Sequence, residues 1–492
     1  MMSNLTAQSE NNQPEEDDRL HEECGIFGIY GYDDASAHTV LGLHALQHRG
    51  QEAAGIVAFD GEHFHSHRAL GLVGDHFNSE DVIRRLPGGQ AIGHVRYSTT
   101  GEPALRNVQP LYADFKFGGL SIAHNGNLTN AVRCRHELVQ RGCLFQSTSD
   151  TEIIVHLIAI SLYSTVVDRL IDALRQVEGA YSLVAMTQKK LIGVRDPRGV
   201  RPLVLGKLDN AYILASETCA LDIIDAEYIR DIEPGEIVVI DESGVQSIKP
   251  FAKLPDRFCV FEYIYFARPD SVMEGKNVYE VRKRIGAELA KEENVAADVI
   301  VPVPDSGVPA AIGYAEESNI PFDLGIIRNH YMGRTFIEPS AEIRNLGVRL
   351  KHNANAAYLA GKRVVLVDDS IVRGTTSKKI VSMVRAAGAT EVHMRISSPP
   401  ISDSCYYGID TPRKDELLAS KNSIEEMAKL IGVDTLAYIT PDGLYRAVCG
   451  QDRNPDEPQF CDACFTSEYP IPLTDHDAVY NPVQLALLAA VD

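Results

Sequence analysis

Tryptophan is absent from the 492-residue sequence, and positive charge is scarce: 47 Lys and Arg stand against 68 Asp and Glu. A formal net charge of −21 argues against non-specific binding to nucleic acid or an acidic membrane, since both need a cationic surface. It also constrains any phosphate-bearing ligand, which would need local basic residues, metal ions or backbone N–H groups. Long apolar runs are missing as well, and none approaches the roughly 20 residues that span a bilayer. Nine cysteines do not make a disulfide-dense scaffold, and no basic stretch followed by an apolar one marks a secretory signal. Reduced thiols in a cytoplasmic protein, open to catalysis or metal binding, are the expectation.

What is present is ordinary globular material. Hydrophobic residues make up 45% and charged residues 23%, and a chain this long predicts two to four domains at roughly 150 residues each. Residues 1–23 are polar and acidic and read as a leader that cannot order itself. At Cys24 the pattern changes to a buried strand, CGIFGIYG. From there to Asp256, β-like runs such as QAIGHVRY (90–97), GLSIAH (119–124), YSLVAM (181–186) and YILA (212–215) predict a layered α+β domain. Its two main helical stretches are Thr39–Leu46 and Thr151–Leu162, the second after an Asp150 cap. A Pro-rich stretch, PFAKLPD at 250–256, marks a boundary. From 257 to 470 strands alternate with helices, which predicts an α/β domain on a mostly parallel sheet. Residues 471–492 read as a peripheral C-terminal segment.

Cys24 lies between the acidic leader and a strand. Removal of residues 1–23 would make it the N-terminus. Its α-amine, with an ordinary pKa of about 7.7–8, could then act as base for its own thiol. The ordered segments CGIFGI (24–29), LQHRGQEAAGI (46–56), GHVRYST (93–99) and HNGNL (124–128) resemble the glutamine amidotransferases with an N-terminal nucleophile. That resemblance implies an αββα sandwich. In it Cys24 attacks the glutamine amide, while Asn125 and Gly126 form the oxyanion hole. Arg96 and Asp150 would hold the glutamine α-carboxylate and α-amino groups, and Arg49 would support the loop beside the nucleophile. The chemistry agrees, because an Arg fork matches a carboxylate and an amide beside a Gly N–H can aim two donors at one oxyanion. Asn-Gly is also the strongest short hairpin signal, so a tight turn at 125–126 is expected with that role.

A second constellation is VVLVDDSIVRGTTS at 364–377. An apolar strand ends in two carboxylates, then a Gly-Thr-Thr-Ser turn enters a helix. Free N–H groups and the positive end of the helix dipole suit a phosphate there, and Gly374 permits close backbone approach. The segment lacks the order of a nucleotide-hydrolase P-loop. It resembles the phosphoribosyl-pyrophosphate motif of type I phosphoribosyltransferases. By that resemblance Arg373, Gly374, Thr375, Thr376 and Ser377 hold the 5-phosphate, Asp368 and Asp369 serve ribose and Mg2+, and Ser306 of VPVPDSGVPAA (301–311) joins the metal. A loop at 331–353 would close over the site, with Arg334, Arg349 and Lys351 as candidates to neutralise pyrophosphate.

Cys461-Asp-Ala-Cys464 has metal-ligand spacing, and zinc, an iron–sulfur cluster or a redox dithiol all fit it. No thioredoxin-like pattern surrounds it, which disfavours the dithiol. Two more thiolates would come from Cys259, Cys405 or Cys449, and composition does not choose among them. CVFEYIYFARPDS (259–271), CYYGID (405–410) and CDACFTSEYP (461–470) resemble the iron–sulfur, propeptide-containing subgroup of the amidophosphoribosyltransferases. The resemblance selects Cys259, Cys405, Cys461 and Cys464 for a structural [4Fe–4S] cluster, with zinc as the alternative. It covers Cys24 to Pro470. It implies glutamine and phosphoribosyl pyrophosphate as substrates, purine nucleotides as inhibitors and a homodimer or homotetramer. A hexosamine-phosphate synthase is disfavoured by the 364–377 segment, and a non-catalytic regulatory protein by the intact Cys24, Asn125, Gly126 and acidic pair.

Overall fold

The computed structural model describes residues 21–22, 24–97, 104–329 and 352–477. In the first half, two antiparallel sheets lie face to face. One has seven strands, in the order Glu227–Asp231, Val204–Leu208, Ala211–Ala215, Gly25–Tyr30, Gln90–Arg96, Ala53–Phe59 and Phe64–Leu70. The other has six, in the order Gly244–Ile248, Ile237–Asp241, Leu191–Arg195, Gly179–Thr187, Gly118–Leu128 and Leu111–Phe115. Strand residues alternate between two faces, and both faces of each sheet are covered. Ile26, Val57, Ile92, Val184, Leu214 and Val238 fill the space between the sheets. The helix Ala35–Ala45 covers the outer face of the seven-stranded sheet through Leu43. The helices Ala131–Gln140, Thr151–Ile160 and Val166–Leu174 cover the other outer face through Leu138, Ile154 and Leu170. This is the expected αββα sandwich.

Two of those helices, Ala131–Gln140 and Val166–Leu174, add to the two expected from sequence. Val166–Leu174 opens on two β-branched residues, a poor helical start that reads equally as strand. It is nucleated by the Thr165 side chain, which accepts the Asp168 N–H. Asp150 does not cap the Thr151–Ile160 helix with its side chain. Its carboxylate accepts the Leu128 N–H at 3.0 Å instead, because the end of the neighbouring strand presents a buried donor to it.

The second half is built on a parallel four-stranded sheet, Val299–Pro302, Arg363–Asp368, Glu391–Ile396 and Thr435–Tyr438. The period of two splits its central strand cleanly. Val365 and Val367 pack with the helices Val278–Glu292 and Val308–Ser318. Val364 and Leu366 pack with Thr375–Ala386 and Ile424–Ile431. This is the parallel α/β sheet expected from the strand–helix alternation. Within this half Phe258–Cys259, just past the sandwich, pairs with Phe460–Cys461, and the two halves meet where the Cys259 N–H donates to the Val200 carbonyl at 3.2 Å. No helix among the described residues is long and apolar enough to cross a membrane.

Candidate active sites

Cys24 stands at the entrance of the Gly25–Tyr30 strand with φ +72°, a left-handed conformation that costs an L-residue roughly 1–2 kcal/mol. Its N–H donates to the Arg49 carbonyl at 3.0 Å, and its side chain is buried. The pairing of Gly25 with Val95 brings Arg96, at the end of its strand and nearly buried, alongside the thiol-bearing strand. The second sheet is stitched to this point by His94, whose Nε2 lies 3.1 Å from the His124 carbonyl. Burial drives the His94 imidazole down to about 3, so the ring is neutral at this junction.

Next to His124 come Asn125 and Gly126. They do not form a turn. Both lie within the Gly118–Leu128 strand, opposite Ser182 and Tyr181. Gly126 has φ +141°, and a Cβ there would meet the Ala180 carbonyl oxygen at 2.0 Å. Only glycine lets the neighbouring strand come so close, which explains an Asn-Gly pair without a hairpin. The Asn125 side chain is fully buried, and neither its oxygen nor its nitrogen has a hydrogen-bond partner. Asp150 is buried 3.6 Å from His124 Nδ1. Burial raises its carboxyl, but the His124 charge and hydrogen bonds from His124, Leu128 and Thr151 outweigh that and hold it below the ordinary range.

Arg49 is 1% exposed. Its guanidinium pairs with Glu217, and with Glu262 at 2.7 Å. These ion pairs fix a residue whose carbonyl accepts the Cys24 N–H. Glu262 comes from the second half and also pairs with Arg201 at 3.2 Å, while Arg201 Nε donates to the Tyr407 carbonyl. Glu217 is held well below the ordinary range: burial opposes this, but His48 and Arg49 prevail. Sequence reasoning missed both glutamates. Glu262 gave one usable signal, a lone charge in the aromatic run FEYIYF.

The second site is a cleft at the carboxyl end of the parallel sheet, lined by Ser306, Asp368, Asp369, Thr376 and Ser377. Tyr265, unforeseen from sequence, lines it too. Open α/β sheets bind ligands at this end. Both carboxylates are nearly buried. Asp369 accepts the Ser306 and Ser370 hydroxyls, each at 2.7 Å. Gly374, at φ +80°, ends the loop and opens the Thr375–Ala386 helix, whose first turn meets the cleft through Thr376 and Ser377. Arg373 does not line the cleft; it reaches Glu416 at 2.7 Å. Arg334, Arg349 and Lys351 lie outside the described residues.

Cys259 and Cys461 face one another in the short strand pair of Phe258–Cys259 with Phe460–Cys461. Cys405 Sγ accepts the Tyr407 N–H at 3.4 Å, and Cys464 lies in the short helix Ala463–Thr466. The Cys259 thiol is pushed up to about 12, chiefly by burial. Burial, then charge on Cys259, Cys405 and Cys461, pushes Cys464 well up, so the four sulfurs lie within electrostatic reach. Yet no three His, Cys, Asp or Glu side chains among the described residues converge on a single ion. Cys449 turns instead to the Tyr445 carbonyl at 3.1 Å. Cys134 and Cys219 are buried, and Cys143 is partly exposed.

Residues 94–222 match the glutamine amidotransferase domain, and residues 271–397 match the phosphoribosyl transferase domain. The chain is 59% identical over 483 residues to the amidophosphoribosyltransferase of Rhizobium etli, covering 97% of each. It is 48% identical to that of Bacillus subtilis, covering 95% of this chain and 98% of the relative. The structure is similar to that of the Bacillus subtilis glutamine phosphoribosylpyrophosphate amidotransferase complexed with ADP and GMP. The TM-score is 0.87 at 48% identity, covering 92% of this chain and 98% of the other.

Proposed function

The chain belongs to the amidophosphoribosyltransferases, and from that premise we propose how its two sites divide the reaction. The enzyme transfers glutamine-derived ammonia to phosphoribosyl pyrophosphate in purine biosynthesis, releasing glutamate and pyrophosphate and forming 5-phosphoribosylamine. Cys24, freed of residues 1–23, passes its thiol proton to its own α-amine and attacks the glutamine amide carbon. Arg96 and Asp150 hold the amino-acid end of the substrate. The oxyanion is received by Asn125 Nδ2 and the Gly126 N–H. Ammonia leaves as the thioester forms, and water then releases glutamate. The observation that carries this reading is the Asn125 carboxamide, buried with both polar atoms unpartnered. Leaving such a group unsatisfied costs roughly 1–3 kcal/mol, and a developing oxyanion supplies the missing acceptor. The left-handed φ of Cys24 supports cleavage at the bond before it, since strain gathers at sites of chemistry.

At the second site the 372–377 loop holds the 5-phosphate, and Asp368 and Asp369 take ribose hydroxyls. The ammonia lone pair attacks the anomeric carbon as its bond to pyrophosphate breaks, with Arg334 and Lys351 offsetting the departing charge. Ser306, Asp368 and Asp369 offer the oxygen donors that Mg2+ prefers. Mg2+ commonly keeps waters and uses only one or two carboxylates beside substrate phosphates, so no complete protein cage is needed. When bound it would neutralise pyrophosphate. The electrostatic influence of Cys259, Cys405 and Cys461 on Cys464 supports a [4Fe–4S] cluster held by these four thiols. Zinc would draw four sulfurs to about 2.3 Å from a single centre. The cluster would tie chain segments together. Purine nucleotides as inhibitors, a homo-oligomeric state and a cytoplasmic location complete the proposal; the relative solved with ADP and GMP supports the first.

The experiment compares Cys24→Ala with wild type, using glutamine or ammonia as nitrogen donor, beside the intact mass of the wild-type protein. The variant should lose glutamine-dependent turnover and keep ammonia-dependent turnover, and the mass should lack residues 1–23. A fully active protein that begins at Met1, or equal loss with both donors, would overturn the reading.

A further inference from the structure

Residues 411–420 fold against the loop read above as the phosphate cradle. The Leu418 N–H donates to the Val372 carbonyl at 2.8 Å, and Leu417 beside it is buried. A Cβ at Gly374 would meet Leu418 Cδ2 at 2.7 Å, so this leucine rests directly on the loop's glycine. Glu416, in the turn Lys414–Glu416, reaches the same loop. Its Oε2 accepts Arg373 Nε at 3.2 Å and Nη2 at 2.7 Å, and its Oε1 accepts Arg413 Nε at 3.2 Å. The Arg373 and Glu416 side chains are 21% and 35% exposed.

A carboxylate this near an anion-binding loop is unexpected on charge alone, because it repels phosphate. Arg373 and Arg413 offset Glu416 and its neighbour Asp415, which also takes Arg413 at 3.3 Å, and this leaves the Glu416 carboxylate a mechanical use. Gly374 tolerates many conformations, so the loop's own backbone does not fix where its donors point. A charge-assisted contact on the adjacent residue can do so. The Arg373 hydrogen bond, followed by Arg413, holds the Glu416 carboxyl below the ordinary range, which keeps the contact ionic at neutral pH.

We propose that Glu416 is a positioning residue of the phosphoribosyl site, which through Arg373 sets the loop that presents Gly374–Ser377 to the 5-phosphate. The proposal rests on the reading of residues 372–377 as that loop. The test is a double-mutant cycle of Glu416→Ala, Arg373→Ala and the pair, assayed with ammonia as nitrogen donor. Glu416→Ala should raise the KM for phosphoribosyl pyrophosphate roughly three- to tenfold, as expected for coupled neighbours. Its kcat at saturation should stay near wild type. The double variant should be no worse than Arg373→Ala, because the two side chains act as one. An unchanged KM in Glu416→Ala, or penalties that add, would overturn the proposal. Should Glu416→Ala melt below the assay temperature, Glu416→Gln carries the same cycle. Gly374→Val separates the two readings. If it leaves the KM unchanged, the phosphate-loop assignment fails. If it raises the KM while Glu416→Ala does not, only the role of Glu416 fails.

Discussion

Asn125 and Glu262 are both fully buried polar residues, yet only the first was legible in the sequence. Asn125 announces itself through HNGNL, because its work is local: a strand, a neighbouring glycine and one carboxamide. Glu262 works at a distance of 213 residues from Arg49, and no local pattern records such a partner. The same holds for Glu217, 168 residues from that arginine. Asn125→Ala should therefore act on one half-reaction. Removing an oxyanion donor costs about 10²–10³ in turnover, so glutamine-dependent activity should fall by that factor while ammonia-dependent activity is kept. Steady-state assays with the two donors decide it, and a parallel fall in both would remove Asn125 from glutamine chemistry.

Among the elements, the five residues Glu262–Phe266 form a π-helix, a local widening often found at functional sites. One end presents Glu262 to Arg49, and three residues later Tyr265 lines the phosphoribosyl cleft. The strand–helix alternation read from the sequence holds in the second half, because apolar periodicity marks regular elements such as the Val278–Glu292 helix. It gave no sign of the π-helix, whose aromatic run has no repeat of its own. Its support comes from Arg282 on the Val278–Glu292 helix, which donates to the carbonyls of Tyr263, Tyr265 and Ala267 at 2.6–2.8 Å. Arg282→Met should leave those carbonyls short of donors and cost about 2–4 kcal/mol in urea unfolding. Both nitrogen donors should be used less well, since the helix touches both sites. A destabilised variant that lost only one activity would confine the π-helix to that site.

Across the whole molecule, the proposed cluster ligands occupy the points where distant chain meets. Cys259 pairs with Cys461 and donates its N–H across the seam to the Val200 carbonyl at 3.2 Å. Cys405 leads into Tyr406 and Tyr407, whose carbonyls accept Asn127 of the Gly118–Leu128 strand and Arg201. Beyond Cys464 the chain returns to the sandwich. There Asp475 caps the Ala131–Gln140 helix through the Val132 and Arg133 N–H groups, at 2.6 and 3.1 Å. The sequence showed two units and four cysteines but not this seam, because its contacts join residues hundreds of positions apart. A group bound by these thiols would thus stabilise both halves, and metal binding would be linked to folding. Cys464→Ser, purified without oxygen, should contain little iron or sulfide and melt below wild type. It should also lose glutamine- and ammonia-dependent activity together, in contrast to Asn125→Ala. Wild-type protein carrying one zinc and no sulfide would replace the cluster with a single tetrahedral ion. A Cys464→Ser protein with wild-type iron and melting temperature would instead free that cysteine from the site.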